Sequence, residues 1–402
     1  MTERIETAII GGGQAGLAMS YHLSQLGREH VILEAKWPGH RWRTERWDAF
    51  AYQHPNWTLQ LPGYGYQGDD PDGFVARDEV ARFVEGYATF IRAPVRCGVP
   101  VTGLRQKPGA ERLLVESNDM TIEAANVVVA TGPYQRPVIP RPAAAMHPQL
   151  FQIHSSGYRN PGQLPPGAVL VVGSGASGSQ ITEDPREAGR RVYLSVGNHR
   201  RTVRRYRGRD TTWWILTMGW LDTVPAEEGK APGVITGVRG GYDIDVRRFP
   251  ANGVQLLGHL RGAEGGKLIF ALDVEQTLSL ADEYCRHFLR SVDEHIQKTG
   301  LDAPEPDAPQ TGPTVPATPA TLDLRAAGIT SVIWATGFRY DFGWVRLPVL
   351  DDADEPIHRW GVTRHPGLYF LGLRRLHTPS SSFVFGVGRD AAHLAEHIDA
   401  RR

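Results

Sequence analysis

The sequence predicts an α/β fold of two Rossmann-like dinucleotide-binding domains, the second inserted into the first. Three observations predict it. Two are glycine-rich turns, GGGQAG at Gly11–Gly16 and GSGASG at Gly173–Gly178, each following an apolar run (Thr7–Ile10 and Val169–Val172) and opening a helical stretch. One such turn is common in proteins. Two in strand–turn–helix context imply two dinucleotides on one chain. The third is the proline punctuation. Pro137–Pro142 and Pro161–Pro166 bracket the passage into the second unit, and Pro304, Pro306, Pro309, Pro313, Pro316 and Pro319 mark a linker out of it. The predicted division is residues 1–162 for the first part of one domain, 163–307 for the inserted domain and 308–402 for the returning part.

The elements follow in order. A strand over Thr7–Ile10 leads to a helix over Ala15–Leu26, stopped by Gly27, and to a second strand, His30–Leu33, ending at Glu34. Residues 36–75 are rich in Trp, Gly, Pro and Asp and read as an ordered loop. Apolar positions Val80, Phe83, Val84 and Tyr87 recur at helical spacing and predict a helix over Arg77–Ile91. Strands are expected at Val101–Leu104 and Leu113–Glu116, and a buried one at Asn126–Ala130 runs into Thr131-Gly132. The second unit adds a strand over Val192–Val196, a hairpin of Val254–Leu260 with Lys267–Leu272 joined by Gly262–Gly266, and a helix over Val274–Lys298. Pro185 makes the helix after the second turn short or kinked. A buried strand at Ser331–Ala335, again ending in Thr-Gly, a strand at Leu368–Leu371 ending at Gly372, and a helix over Arg389–Ile398 close the chain.

Among 402 residues, 44 basic and 44 acidic side chains balance, so net charge points to neither nucleic acid nor a membrane surface. The N-terminal MTERIET is no signal peptide and no apolar run nears the ~20 residues of a membrane span. A soluble, cytoplasmic protein is expected. Only Cys97 and Cys285 occur, so a CxxC redox pair, a disulfide framework and a cysteine zinc site all lack their residues; no metal is expected.

In the first cradle, Gly11 permits the tight turn, Gly13 lets backbone approach a pyrophosphate and Gly16 lets helix pack on strand. Glu34 stands where a carboxylate accepts from ribose hydroxyls and opposes a 2′-phosphate, so FAD or NAD is expected there. In the second, built on Gly173, Gly175, Ser177 and Gly178, the acidic residue is missing and Ser195 stands near its place. Arg200, Arg201, Arg204, Arg205, Arg207 and Arg209 follow. Arginine grips a 2′-phosphate bidentately, so NADPH is expected, with Arg200 and Arg201 as its ligands. A solvated basic loop is the alternative.

These residues resemble the class B flavin-dependent monooxygenases, over nearly the whole chain. The resemblance rests on GGGQAG with Glu34, Arg41-Trp42-Arg43 with Arg46-Trp47-Asp48, VVVATGPYQRPVIP at 127–140, GSGASG, VIWATGF at 332–338 and GLYFLGL at 367–373. The family fingerprint FxGxxxHxxx(Y/F) is half kept: His154 and Tyr158 are present, whereas Pro148 and Leu150 stand at its Phe and Gly.

The resemblance implies an FAD- and NADPH-dependent enzyme. It inserts one atom of O2 into a small organic substrate, at nitrogen, sulfur or a heteroaromatic ring, by way of a flavin hydroperoxide. A reductase or oxidase without oxygen transfer, and Baeyer–Villiger oxygenation of a ketone, are the alternatives. It also implies that Trp42, Arg43, Gly132, Gly337 and Gly372 contact cofactor, with Arg43 on pyrophosphate or Asp48. Asn56 would sit near the flavin, its other role being a turn asparagine after Pro55, and His54 would act as acid or base. His154 and Tyr158 would organise the domain junction, and Trp213, Trp214 and Trp220 would form an aromatic wall or pack the second domain. A homodimer is one assembly compatible with this reading.

Overall fold

The computed structural model describes residues 2–222, 233–306 and 312–401. Two parallel sheets dominate it. The first runs Leu368–Phe370, Thr121–Val129, Thr2–Ile10, His30–Glu34 and Val95–Cys97, all parallel. Antiparallel strands extend it. Val362–Thr363 and His358–Arg359 lie at one edge, and the pair Val101–Gln106 and Leu113–Ser117 joins the first half of Thr121–Val129. The second sheet orders Phe151–His154, Ile329–Trp334, Ala168–Val172, Val192–Ser195 and Val254–Leu257, again parallel.

Continuous apolar runs explain both. Val127, Val128 and Val129 are fully buried, as are Val169, Leu170 and Val171, because a parallel sheet is covered on both faces. Helices Gln14–Gln25 and Val387–Ala400 pack together against the first sheet; helix Ala176–Glu187 covers the second. Pro185 falls in the last turn of Ala176–Glu187, which ends two residues later. The proline is tolerated there by stopping the helix.

The sheets correct the predicted boundaries. Phe151–His154 and Ile329–Trp334 were expected in the first domain, but both are hydrogen-bonded inside the second sheet, and Thr321–Asp323 pairs with Lys267–Phe270. By sheet membership the inserted unit therefore reaches from about residue 151 to about 335. Long-range pairing, which local composition does not carry, moves both borders outward. The expected border at 307/308 lies outside the described residues. The hairpin is also corrected. Val254–Leu257 is a parallel strand of the second sheet, and Leu260–Glu264 pairs with Lys267–Phe270 around Gly265-Gly266. Gly262 sits in the strand rather than in the turn.

The tryptophan segment is core of the second unit. Trp214 is fully buried, donates Nε1–H to the Tyr206 carbonyl at 2.7 Å, and clusters with Trp220 and Phe288. None of Trp213, Trp214 and Trp220 borders the two cavities described below. Among the described residues no helix is long and apolar enough to cross a membrane.

Candidate functional site

The two cradles are near copies. Gly11 has φ +110°, and a Cβ on it would lie 2.6 Å from the Ala130 carbonyl oxygen; Gly173 has φ +104°, with the Ala335 carbonyl at 2.5 Å. Each Ala-Thr-Gly strand end thus abuts the first glycine of one cradle. A Cβ on Gly16 would lie 1.9 Å from the Gly11 carbonyl oxygen, and one on Gly178 1.8 Å from that of Gly173. These four glycines are demanded by the protein's own backbone. Gly13 and Gly175 are different. Each caps its helix in an extended conformation, and a Cβ on either meets nothing within 4 Å. A dinucleotide pyrophosphate at a helix N-terminus fits that open space, where a side chain would fill the cradle.

Beyond the first cradle opens a cavity of about 430 Å³. Gly11, Gly13, Glu34, Trp42, Gly132 and Gly372 all line it. Glu34 holds the lip: its Oε2 accepts from Gly12 N–H at 2.6 Å and its Oε1 from Lys36 N–H at 2.8 Å. Trp42 donates Nε1–H to Gln14 Oε1 at 3.3 Å. Gly132 and Gly372 adopt positive φ, and a Cβ on Gly132 meets nothing.

Arg43 is a correction. It donates to Glu85 at 2.8 Å on the helix Arg77–Phe90, borders neither cavity, and does not reach Asp48, which pairs with Arg77 at 2.7 Å. Arg41 and Arg46, quoted from the sequence within the family motif but given no role there, line the cavity instead. The only sequence signal for them was membership in the same basic stretch.

The second cradle is also partly corrected. Ser195 Oγ donates to the Gly258 carbonyl at 2.8 Å. Arg201 is mostly buried between Asp282 at 3.3 Å and Asp245 at 3.8 Å. Arg204 is buried in a bidentate pair with Asp210 and donates to the Gln53 carbonyl, and Arg207 pairs with Asp293. Only Arg200, with its guanidinium over the Tyr284 ring at 5.7 Å, makes no carboxylate pair among the described residues of the expected two. Counting arginines in sequence overstates the charge on offer, because Arg204 is claimed by nearby Asp210 and Arg201 and Arg207 by carboxylates far along the chain.

A smaller cavity of about 160 Å³ lies between the two units. Gln14 and Ala176-Ser177, from the first turns of the two cradle helices, both border it, as do Trp42, His54, Ser155, Phe338 and Phe383. His54 shares a hydrogen bond between Nδ1 and Thr212 Oγ1 at 3.1 Å. Burial pushes its pKa down to about 3, and the nearby Arg204 cation adds to this. The imidazole is therefore neutral at physiological pH. It can orient a bound molecule by hydrogen bonding, but is not the neutral-pH acid or base expected from sequence.

Asn56 is corrected too. It is buried outside both cavities, with its Nδ2–H donated to the Asp70 carbonyl at 2.9 Å and its Oδ1 accepting from Val75 N–H at 2.8 Å. Its amide staples the loop, the turn role. Of the pair expected at the junction, His154 reaches the edge of the second unit and Tyr158 bonds within it. His154 Nε2 bonds the Gly337 carbonyl at 3.0 Å, and Tyr158 donates to Asp184 at 2.7 Å.

The family of pyridine nucleotide-disulphide oxidoreductases matches residues 8–215. An uncharacterized CzcO-like oxidoreductase of Geobacillus kaustophilus is 33% identical over 407 residues, covering 99% of each chain. Indole-3-pyruvate monooxygenase YUCCA1 of Oryza sativa is 28% identical over 49% of this chain and 50% of its own. Among solved structures, a flavin-containing monooxygenase from Stenotrophomonas maltophilia has the same fold, with a TM-score of 0.70 at 19% identity and 99% of each chain covered.

Proposed function

The chain belongs to the pyridine nucleotide-disulphide oxidoreductase family, and we propose that within it the protein is an FAD-dependent, NADPH-using monooxygenase that places one atom of O2 on a small organic substrate. The observation that carries this reading is the matched pair of cradles, each with its middle glycine opening on free space, whose helix N-termini border one shared cavity. Two dinucleotides held there would bring their redox rings into a common space. The likeness to the rice monooxygenase and to the Stenotrophomonas fold supports the oxygen-transfer part.

FAD is assigned to the first cradle. Its cavity is the larger, and Glu34 presents a carboxylate suited to ribose hydroxyls. NADPH is assigned to the second, with Arg200, the one of the two expected ligands that no described carboxylate claims, for the 2′-phosphate. When bound, the flavin accepts hydride and activates oxygen; this chemistry is the cofactor's own. The chain's residues bind and orient. Gly13 and Gly175 admit backbone to phosphate, Gly132 and Gly337 keep the strand ends clear of side chains, and Trp42 with Phe383 walls the shared cavity against water. Disulfide exchange is disfavoured, since Cys97 is exposed, Cys285 is buried in a helix and neither borders a cavity.

The test is rapid mixing. Protein reduced anaerobically with NADPH is mixed with oxygenated buffer, and product formed from labelled O2 is analysed for the label. A long-lived absorbance transient distinct from reduced and oxidised flavin, with label in product, is expected. Immediate return to oxidised flavin with release of all oxygen as peroxide would assign a reductase or oxidase instead.

A further inference from the structure

Arg46 borders both cavities and makes no ion pair among the described residues. Its guanidinium lies over the rings of Trp42 at 5.2 Å, Tyr134 at 5.4 Å and Phe50 at 6.0 Å. Its one hydrogen bond among the described residues runs from Nη1 to the Glu45 carbonyl at 2.9 Å, and no carboxylate of those residues lies within ion-pair reach. Among nearby arginines, Arg41 is matched to Glu45, Arg43 to Glu85 and Arg77 to Asp48, whereas Arg159 donates to the Ser156 and Tyr158 carbonyls. Glu45 also borders the cavity, but Arg41 Nε holds its carboxylate at 3.3 Å. Arg374 adds a second cation over Tyr134, at 5.1 Å.

A guanidinium carries five N–H donors in a fork that fits a carboxylate. Its flat faces here are covered by aromatic rings, which stabilise the charge but satisfy no N–H. A half-buried cation in this state favours any anion that reaches it. Aromatic rings of Trp47, Phe50, Tyr52, Phe338 and Phe383 line much of the smaller cavity, together with the neutral His54 and polar Gln14, Gln53 and Ser155.

We infer that this cavity selects an aromatic substrate bearing a carboxylate, with Arg46 as the residue that determines the preference for the acid. The inference rests on the reading of the shared cavity as the place of oxygen transfer. An anion from a second source, a dinucleotide phosphate, has the same chemistry, and the experiment separates the two.

Binding of phenylacetate and of phenylacetamide to the FAD-loaded protein is measured by calorimetry, without NADPH and without turnover. A chain that transfers no oxygen would still give the binding result, so failure of the monooxygenase reading and of this inference are distinguishable. The acid is expected to bind about tenfold or more tighter than the amide, the scale of a charge-assisted pair. Arg46→Gln should abolish that ratio, and Arg46→Lys, which keeps charge but loses the fork, should leave an intermediate one. FAD content and NADP+ affinity are measured in each variant alongside, since Arg46 also borders the first cavity. Equal binding of acid and amide by the parent protein, or no binding of either, would overturn the inference even if the variants fail to fold. So would an Arg46→Gln protein that loses FAD or NADP+ while keeping the acid-to-amide ratio.

Discussion

The two cradles share a backbone and differ in everything beyond it. Their glycines superpose in function: corresponding contacts agree within about 0.1 Å, 2.6 against 2.5 Å at the first glycine and 1.9 against 1.8 Å at the third. Past the turn they diverge. The first ends in Glu34, which binds its own loop and faces a wide cavity. The second has Ser195 tied to a carbonyl and an arginine run in which Arg201, Arg204 and Arg207 serve ion pairs. The glycines therefore set the turn, and the residues at the strand ends set the ligand.

Substitutions can break this comparison at graded depth. Gly16→Ala should be the most damaging. Its Cβ would enter the Gly11 carbonyl, and overpacking of this kind costs about 1–3 kcal/mol or more. Thermal unfolding should show a large fall in Tm even without cofactor. Gly13→Val should do the opposite, leaving the Tm of the cofactor-free protein close to the parent's while FAD content falls to roughly a tenth or less, because a side chain occupies the pyrophosphate's place. An equal loss of fold in both variants would erase the distinction between structural and ligand-facing glycines.

The arginines sharpen the second half. Arg201→Ala strands Asp245 and Asp282, but Arg248 and Arg247 also reach them. A stability loss of about 1–2 kcal/mol is expected in chemical denaturation, below the cost of a fully isolated buried pair. Arg200→Ala should leave stability unchanged and raise the KM for NADPH several-fold, with little change for NADH; equal effects on the two would remove Arg200 from the cofactor site.

The smallest effect concerns His54. Held neutral down to a pKa of about 3, it binds no proton in the fold between that pH and its ordinary value near 6.5, whereas the unfolded chain does. Stability should therefore fall as pH drops below about 6.5. His54→Gln should flatten part of that acid loss in pH-dependent unfolding and leave the pH profile of turnover between pH 6 and 8 unaltered. A turnover pKa near neutrality that vanishes in the variant would restore His54 as an acid or base.

What the sequence showed was local. A cradle is written in consecutive residues, so both turns, their flanking strands and Glu34 were legible, as were the long helices with regular apolar spacing. Properties that depend on distant partners were not. Nothing near Arg43 announces Glu85, nothing near Arg201 announces Asp245 and Asp282, and Asn56 gives no sign that Asp70 and Val75 claim both ends of its amide. The same blindness moved the domain borders, because Ile329–Trp334 joins its sheet through strands more than a hundred residues earlier. Arg46, quoted within the family motif, was given no role for the converse reason: its distinction is the ion-pair partner it lacks among the described residues.

The central claim is that the two cradles hold two dinucleotides that exchange electrons. The most direct test follows the yellow flavin band anaerobically after mixing FAD-loaded protein with NADPH, in the parent and in Gly175→Val. The parent should bleach. The variant should keep its FAD and stay yellow, because only the second cradle is filled by the new side chain. Bleaching of both at the same rate, or of neither, would contradict the account.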